Sequence, residues 1–233
     1  MGSEEHLSYY SVFDGHAGTD AACYAASHLH ELLIASQHYP EDPVQVPIFT
    51  TKLVFESMIC VLQAFTDAFL TCDKDFTVSS KKSGTTAVCA LIRDDTIYIA
   101  WLGDSTATLV REGVTVKVMD SHKPDRPDER ARVEGLGGTV IHWGAWRVNG
   151  QLAVSNHLDF ILIGVGCFLT RFHLIIQVSR AIGDGDYKPF VTAQPDITTI
   201  KRNGTEDFII GFRACILKMR CVGCLSSYIL FQF

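Results

Sequence analysis

The run Asp14-Gly15-His16-Ala17-Gly18 carries the strongest chemical signal in the chain. A carboxylate at the end of a strand suits a hard divalent cation such as Mg²⁺ or Mn²⁺, and its two oxygens can bridge a pair of ions. Gly15 has no side chain, so its backbone carbonyl can approach a metal closely. Two such ions can activate a water and clamp phosphoryl oxygens for in-line attack at phosphorus. His16, beside the turn, could protonate a departing oxygen as general acid. Each residue also has an ordinary reading. Asp-Gly is a common turn, and a lone His is usually structural or solvated. Asp104, following Gly103, ends a second predicted strand. Ser83, Thr85 and Thr86 are nucleophiles by type, but no His and Asp partners are arranged for them, so that block reads as a turn into a strand.

The elements that must position these residues are legible from periodicity. Residues 7–13 are aromatic-rich and read as a strand running into a turn at Asp14-Gly15. Residues 18–35 read as a helix opened by Asp20, with Ala22, Ala25, Ala26, Leu29, Leu32 and Leu33 at helical spacing. Residues 62–76 give a second helix through Ala64, Phe65, Ala68 and Phe69. Residues 84–92, 96–102, 105–110 and 114–118 read as strands of an antiparallel meander, with turns at Gly103-Asp104 and Glu112-Gly113. Residues 125–136 read as a helix with Pro127 in its first turn and Gly137-Gly138 ending it. Strands flanked by helical pairs favour a layered α+β domain.

Five blocks in this order resemble the metal-dependent serine/threonine protein phosphatases of the 2C type. They are residues 9–18 (Tyr-Tyr-Ser-Val-Phe-Asp-Gly-His-Ala-Gly), 83–87 (Ser-Gly-Thr-Thr-Ala) and 100–105 (Ala-Trp-Leu-Gly-Asp-Ser), then His122-Lys123-Pro124-Asp125 with Glu134-Gly135-Leu136-Gly137-Gly138, and Ser179-Arg180-Ala181-Ile182-Gly183-Asp184. The resemblance implies a four-layer α-β-β-α sandwich of two antiparallel sheets flanked by helices. It implies Mg²⁺ or Mn²⁺ as cofactor, two ions with a third, weaker one. Asp14 and Gly15 would be metal residues, His16 the general acid, and Asp104 a holder of the third metal. Asp184 matches a family Asp for which a structural role is expected. Substrates would be proteins carrying phosphoserine or phosphothreonine. The run Trp146-Arg147-Val148-Asn149-Gly150 resembles the subgroup that dephosphorylates calcium/calmodulin-dependent kinases.

The chain also departs from the family pattern. Residues 1–210 read as a partial phosphatase domain and 211–233 as a non-family tail. The segment before residue 8 is too short for the family's phosphate-gripping Arg, and no acidic residue follows Gly211, so further metal ligands are expected to be absent and affinity low. Residues 46–61 and 154–177 read as insertions. The second splits the family run between Val154-Ser155 and Val178-Ser179, a pattern expected of a retained intron read in frame. The alternative function is therefore an inactive family fragment with at most a binding role.

Composition closes off other classes. Hydrophobic residues make up 47% and charged residues 20%, which excludes a disordered chain. A formal net charge of −6 argues against nucleic acid or an anionic membrane as partner. No GxGxxG or P-loop supports a dinucleotide or nucleoside-triphosphate site. No apolar leader follows residues 1–6, so a cytoplasmic or nuclear location is expected. Cys221 and Cys224 form a CxxC without the further ligands that zinc needs, and the cysteines lack the regular spacing of a disulfide framework. Residues 158–176 form an apolar run of membrane-span length, but Asp159, Arg171 and His173 interrupt it and argue against insertion.

Overall fold

Gly84–Arg93 shows little alternation of apolar and polar residues, and every one of its ten residues is buried. A strand can be apolar throughout only if both of its faces are covered. The computed structural model describes residues 7–39, 51–79, 82–143, 145–149, 178–202, 206–212 and 229–232. Their order is β1 (Leu7–His16), α1 (Asp20–Ala35), α2 (Thr51–Val78), β2 (Gly84–Arg93), β3 (Thr96–Leu102), β4 (Thr106–Arg111) and β5 (Val114–Lys117), followed by α3 (Pro127–Gly135), β6 (Val140–Trp143), β7 (Ala145–Val148), β8 (Ile182–Gly183), β9 (Asp196–Lys201), β10 (Glu206–Phe212) and β11 (Ile229–Gln232).

The first sheet runs β1-β2-β3-β9, with β8 also paired to β2, and the second runs β11-β10-β4-β5. Both are antiparallel. The period of two sorts β2 between two cores. Ala87, Cys89 and Leu91 join Tyr98, Ala100 and Leu102 of β3 beneath the helices, against Ala25, Leu29 and Leu33 of α1 and Phe65, Phe69 and Cys72 of α2. Val88, Ala90 and Ile92 join Ile97, Ile99 and Trp101 on the other face, against Ala107 and Leu109 of β4 and against Met119. A third cluster packs α3 on the β6-β7 hairpin through Val133, Val140 and Val148, together with Val178, Ala181 and Val191. The fold is therefore α+β, as expected.

Several details differ from the sequence expectations. β1 does not turn at Asp14-Gly15. Asp14, Gly15 and His16 stay in register with Thr86, Thr85 and Gly84 of β2, and the turn comes at Ala17 (φ 59°) and Gly18 (φ 132°). The meander is split, because β3 pairs with β2 and β9 while β4 pairs with β5 and β10. Gly103-Asp104 is thus a crossover between sheets, not a hairpin. Helix α2 begins well before residue 62 and includes part of the stretch read as an insertion; Val61 is fully buried in the helix-side core. Two packed layers are seen on the first sheet, helices α1 and α2 on one face and the second sheet on the other. β11, in the stretch read as a tail, is hydrogen-bonded to β10. The 154–177 segment lies outside the described residues, as does the apolar run 158–176. Among the described residues, no helix is long and apolar enough to cross a membrane.

Phe69 is fully buried in the helix-side core. Its truncation to Ala should cost about 3–5 kcal/mol in urea unfolding. Val78, at the exposed end of α2 with 79% of its surface accessible, should tolerate Ala within about 0.5 kcal/mol.

Candidate active site

The strand periodicity of β1 decides which side chains meet. Tyr9 and Phe13 pack on the helix-side core, and Tyr10 on the core between the sheets. Asp14 and His16 share the face of Tyr10, so both point to the rim between the two sheets. Asp104 arrives at that rim on the crossover from β3 to β4. Gly15 faces the other way. A Cβ there would lie 3.0 Å from the carbonyl oxygen of Gly18 and 3.2 Å from Cβ of Ala22. Its missing side chain makes room for the first turn of α1, a reason beyond the carbonyl access argued from sequence. Ser83, buried, accepts a hydrogen bond at Oγ from the N–H of Ala21 (3.1 Å) and so caps α1. That fits its reading as part of a turn, not a nucleophile.

His16 lies 2.7 Å through Nε2 from Oδ2 of Asp184, whose side chain is buried. The last turn before Asp184 is fixed from several sides. Asp73 of α2 accepts from the N–H of Gly183 (2.8 Å) and pairs with Lys188 (2.9 Å). The N–H of Asp184 donates to the carbonyl of Ser83 (3.2 Å). Asp184 itself adopts a left-handed conformation (φ 53°, ψ 43°), which an L-residue with a short polar side chain tolerates. Its carboxylate crosses directly over Gly84, where a Cβ would come within 2.4 Å of it. Gly84 is therefore the residue that lets Asp184 reach His16.

The electrostatics follow from this convergence. Burial alone would lower the pKa of His16, but the hydrogen bond and charge of Asp184 outweigh it, with Asp14 and Asp104 adding to the field, and the net shift is upward. Asp14 and Asp104 thus lie within electrostatic reach of the same imidazole. All the oxygen donors here suit a hard divalent cation. Among the described residues, no group of three or more His, Cys, Asp or Glu is gathered closely enough to hold a metal.

A second charged cluster holds the loops that carry the site. Glu129 of α3 is buried and pairs with Arg180 (2.6 Å) and Arg132 (2.9 Å), and accepts from the hydroxyl of Ser179. Arg180 also pairs with Asp196 (2.7 Å), which lies 3.0 Å from Nε2 of His122. Burial by itself would raise the pKa of Glu129, but the hydrogen bonds from Arg180, Arg132 and Ser179 override it and bring it down to about 2. His122 also moves down, but for the opposite reason. Burial lowers its pKa, outweighing the hydrogen bond and charge of Asp196.

Sequence reading brought Asp14, Gly15, His16 and Asp104 forward, and the structure gathers their side chains or backbone at one rim. It missed Asp73, Glu129 and Asp196, and it gave Asp184 only a structural expectation. Nothing local in the sequence marks Asp73 as a partner of Gly183, more than a hundred residues away. Burial pushes the free thiols of Cys72 and Cys89 up to about 12, so neither is a ready nucleophile.

The family model described as Protein phosphatase 2C matches residues 1–210. Protein phosphatase 1E of Mus musculus is 37% identical over 211 residues, which cover 89% of this chain and 23% of that protein. Protein phosphatase 1F of Homo sapiens is 37% identical over 230 residues, covering 95% of this chain and 41% of that protein. This chain therefore spans less than half the length of these relatives. Among solved structures, serine-threonine phosphatase 2C from Toxoplasma gondii matches with a TM-score of 0.73 at 21% identity, covering 88% of this chain and 67% of that one. A sex determining protein of C. elegans matches with a TM-score of 0.63 at 24% identity, covering 88% of this chain and 42% of that one. Likenesses at such identities speak for the fold.

Two outcomes test this geometry. A His whose pKa is raised by folding stabilises the fold fully below its unfolded pKa, and that contribution is lost as pH rises through the folded value. Unfolding free energy should therefore fall as pH climbs from about 6.5 through the raised value of His16, and this part of the slope should vanish in His16→Gln. Urea titrations at closely spaced pH values decide it; an unchanged slope would remove the pair. Glu129→Gln leaves Arg180 and Arg132 facing a neutral amide in a buried site, and should cost about 3 kcal/mol in the same assay at neutral pH.

Proposed function

We propose a function that starts from a fact of kinship: the chain belongs to the protein phosphatase 2C family. It hydrolyses phosphoserine and phosphothreonine in protein substrates with the help of Mg²⁺ or Mn²⁺, the ions on which the family generally depends. The observation that carries this reading is the His16–Asp184 pair at the rim between the sheets, with Asp14 and Asp104 within electrostatic reach.

Asp14, the Gly15 carbonyl and Asp104 would hold the cation, as oxygen donors at the ends of well-anchored elements. Bound there, the metal supplies an activated water and neutralises phosphoryl charge. His16 holds a proton on an imidazole whose raised pKa keeps it charged nearer neutral pH. It donates that proton to the departing serine or threonine oxygen. Asp184 orients the ring and stabilises its charged form. Asp73 and Gly84 keep Asp184 in place.

The likeness of residues 146–150 to the kinase-phosphatase subgroup supports phosphorylated calmodulin-dependent kinases as substrates, in a cytoplasmic or nuclear setting. The two relatives named protein phosphatase 1E and 1F accord with a protein substrate. A second reading is a family fragment without turnover that binds partners. One observation favours it: among the described residues, no cluster of three or more metal-ligating side chains is present.

Activity on a phosphopeptide with Mn²⁺ separates the two. The enzyme reading expects turnover that Asp14→Ala abolishes. His16→Ala should lower kcat by about 10²-fold on the phosphopeptide, and by much less on p-nitrophenyl phosphate, whose leaving group needs no proton. Absence of turnover at any Mn²⁺ concentration would leave the binding fragment.

A further inference from the structure

The crossover Gly103-Asp104 leaves one sheet and enters the other, so no strand ladder holds it. It is held by His122. The N–H of Gly103 donates to Nδ1 of His122 (3.1 Å), and the N–H of His122 donates to the carbonyl of Gly103 (2.8 Å). The two residues thus exchange hydrogen bonds through one side chain and two backbones. The ring of His122 is fully buried and stacked on Trp101, with centroids 6.0 Å apart and planes at 20°. Trp101 in turn donates from Nε1 to the carbonyl of Asp120 (2.9 Å). The segment before His122 is therefore stitched to β3 immediately ahead of the turn.

The opposite side of the crossover is closed as well. Gly103 has φ 81°, and a Cβ there would lie 2.6 Å from Cγ2 of Thr86. The Thr86 and Ser105 hydroxyls are 2.6 Å apart and buried. Asp104 thus sits between a residue clamped by His122 and one tied to β2. The acceptor at Nδ1 leaves the ring proton on Nε2, facing Asp196 at 3.0 Å, although that proton is not aligned on the carboxylate. The bond that fixes the turn is the one at Nδ1.

We propose that His122 is the positioning residue of the Asp104 carboxylate: its Nδ1, by holding the Gly103 amide, sets the direction from which Asp104 meets a divalent cation. The proposal rests on the reading of Asp104 as a cation ligand. Groups that orient a ligand typically matter about 10–100-fold in metal affinity.

Two variants separate this role from simple packing. In His122→Asn, the amide oxygen stands where Nδ1 stood and can accept from Gly103. In His122→Gln, the longer side chain places its amide near the former Nε2, and the Gly103 N–H loses its acceptor. Both lose the stacked ring, so thermal midpoints should fall alike. Mn²⁺ binding to the full chain, read from the EPR signal of free Mn²⁺ without any turnover, should not. His122→Gln should weaken the site lost in Asp104→Asn by about tenfold, whereas His122→Asn should stay close to the unmodified chain. Equal binding by the Asn and Gln variants overturns the positioning role. If Asp104→Asn itself binds Mn²⁺ like the parent, the reading of Asp104 as a ligand fails, and this proposal with it. Should the Gln variant not fold, the unmodified chain decides. Added Mg²⁺ should shift the ¹⁵N resonance of His122 Nδ1 and the amide of Gly103 together, and a His122 resonance that stays put overturns the proposal.

Discussion

The two-sided burial of β2 is the constraint on which the rest of the molecule depends. Its odd-numbered side chains from Ala87 to Leu91 meet the helices, and its even-numbered ones from Val88 to Ile92 meet the second sheet. A register slip of one residue would exchange the two sets and put small helix-facing residues against the wrong layer. Because β1 and β3 both pair with β2, their registers are set by the same strand. That places Asp14 and His16 at one end of β1 and the Gly103-Asp104 crossover at the matching end of β3. The rim where they meet is a consequence of the ladder, and the ladder is a consequence of burial.

What the ladder cannot do is hold the loops that complete the rim. The segments around residues 120–126 and 178–184 have little pairing of their own. They are held by ion pairs around the buried Glu129 and Arg180, which also engage the partly exposed Arg132 and Asp196. Removing such ions from water is costly, and well-packed apolar groups could give equal stability. The ionic solution adds direction. Arg132 donates to the carbonyls of Ser179 and Phe190, and Arg180 to that of Gln194. Each guanidinium thus fixes backbone at several points, which a hydrocarbon side chain cannot do. The loop is thereby brought to Asp184 in one conformation, with Gly84 leaving space beneath the carboxylate.

How much of this was legible in the sequence follows from range. Helices α1 and α3 and strands β2 to β5 were readable because their periodicity and turn residues are local. The end of β1 was misread, because Asp-Gly is a turn signal by itself, and only pairing with residues 84–86 of β2 keeps it extended. The meander was misassigned for the same reason: adjacency in sequence favours a hairpin at Gly103-Asp104, while the partners β9 and β10 that separate the two sheets come some ninety residues later. Asp14, His16 and Asp104 could be picked out because their residue types carry chemistry. Asp73 and Glu129 could not, since a carboxylate on a helix is ordinarily a solvated charge. Only their distant partners, Gly183 and Arg180, give them a role.

The arrangement of carboxylates divides two electrostatic tasks that would otherwise conflict. Asp184, Asp14 and Asp104 all favour the charged form of His16. A cation held by Asp14 and Asp104 would cancel much of their field and repel a protonated imidazole. The proton on His16 would then depend on Asp184, which is buried, hydrogen-bonded directly to the ring, and turned in from a different loop. A site that binds a divalent cation and keeps a protonated acid beside it needs one carboxylate committed to the acid. In the proposed reading, Asp184, hydrogen-bonded to His16, would take that position. That separation would give a use to the left-handed Asp184 and the steric gap at Gly84, which occur together at this point of the fold.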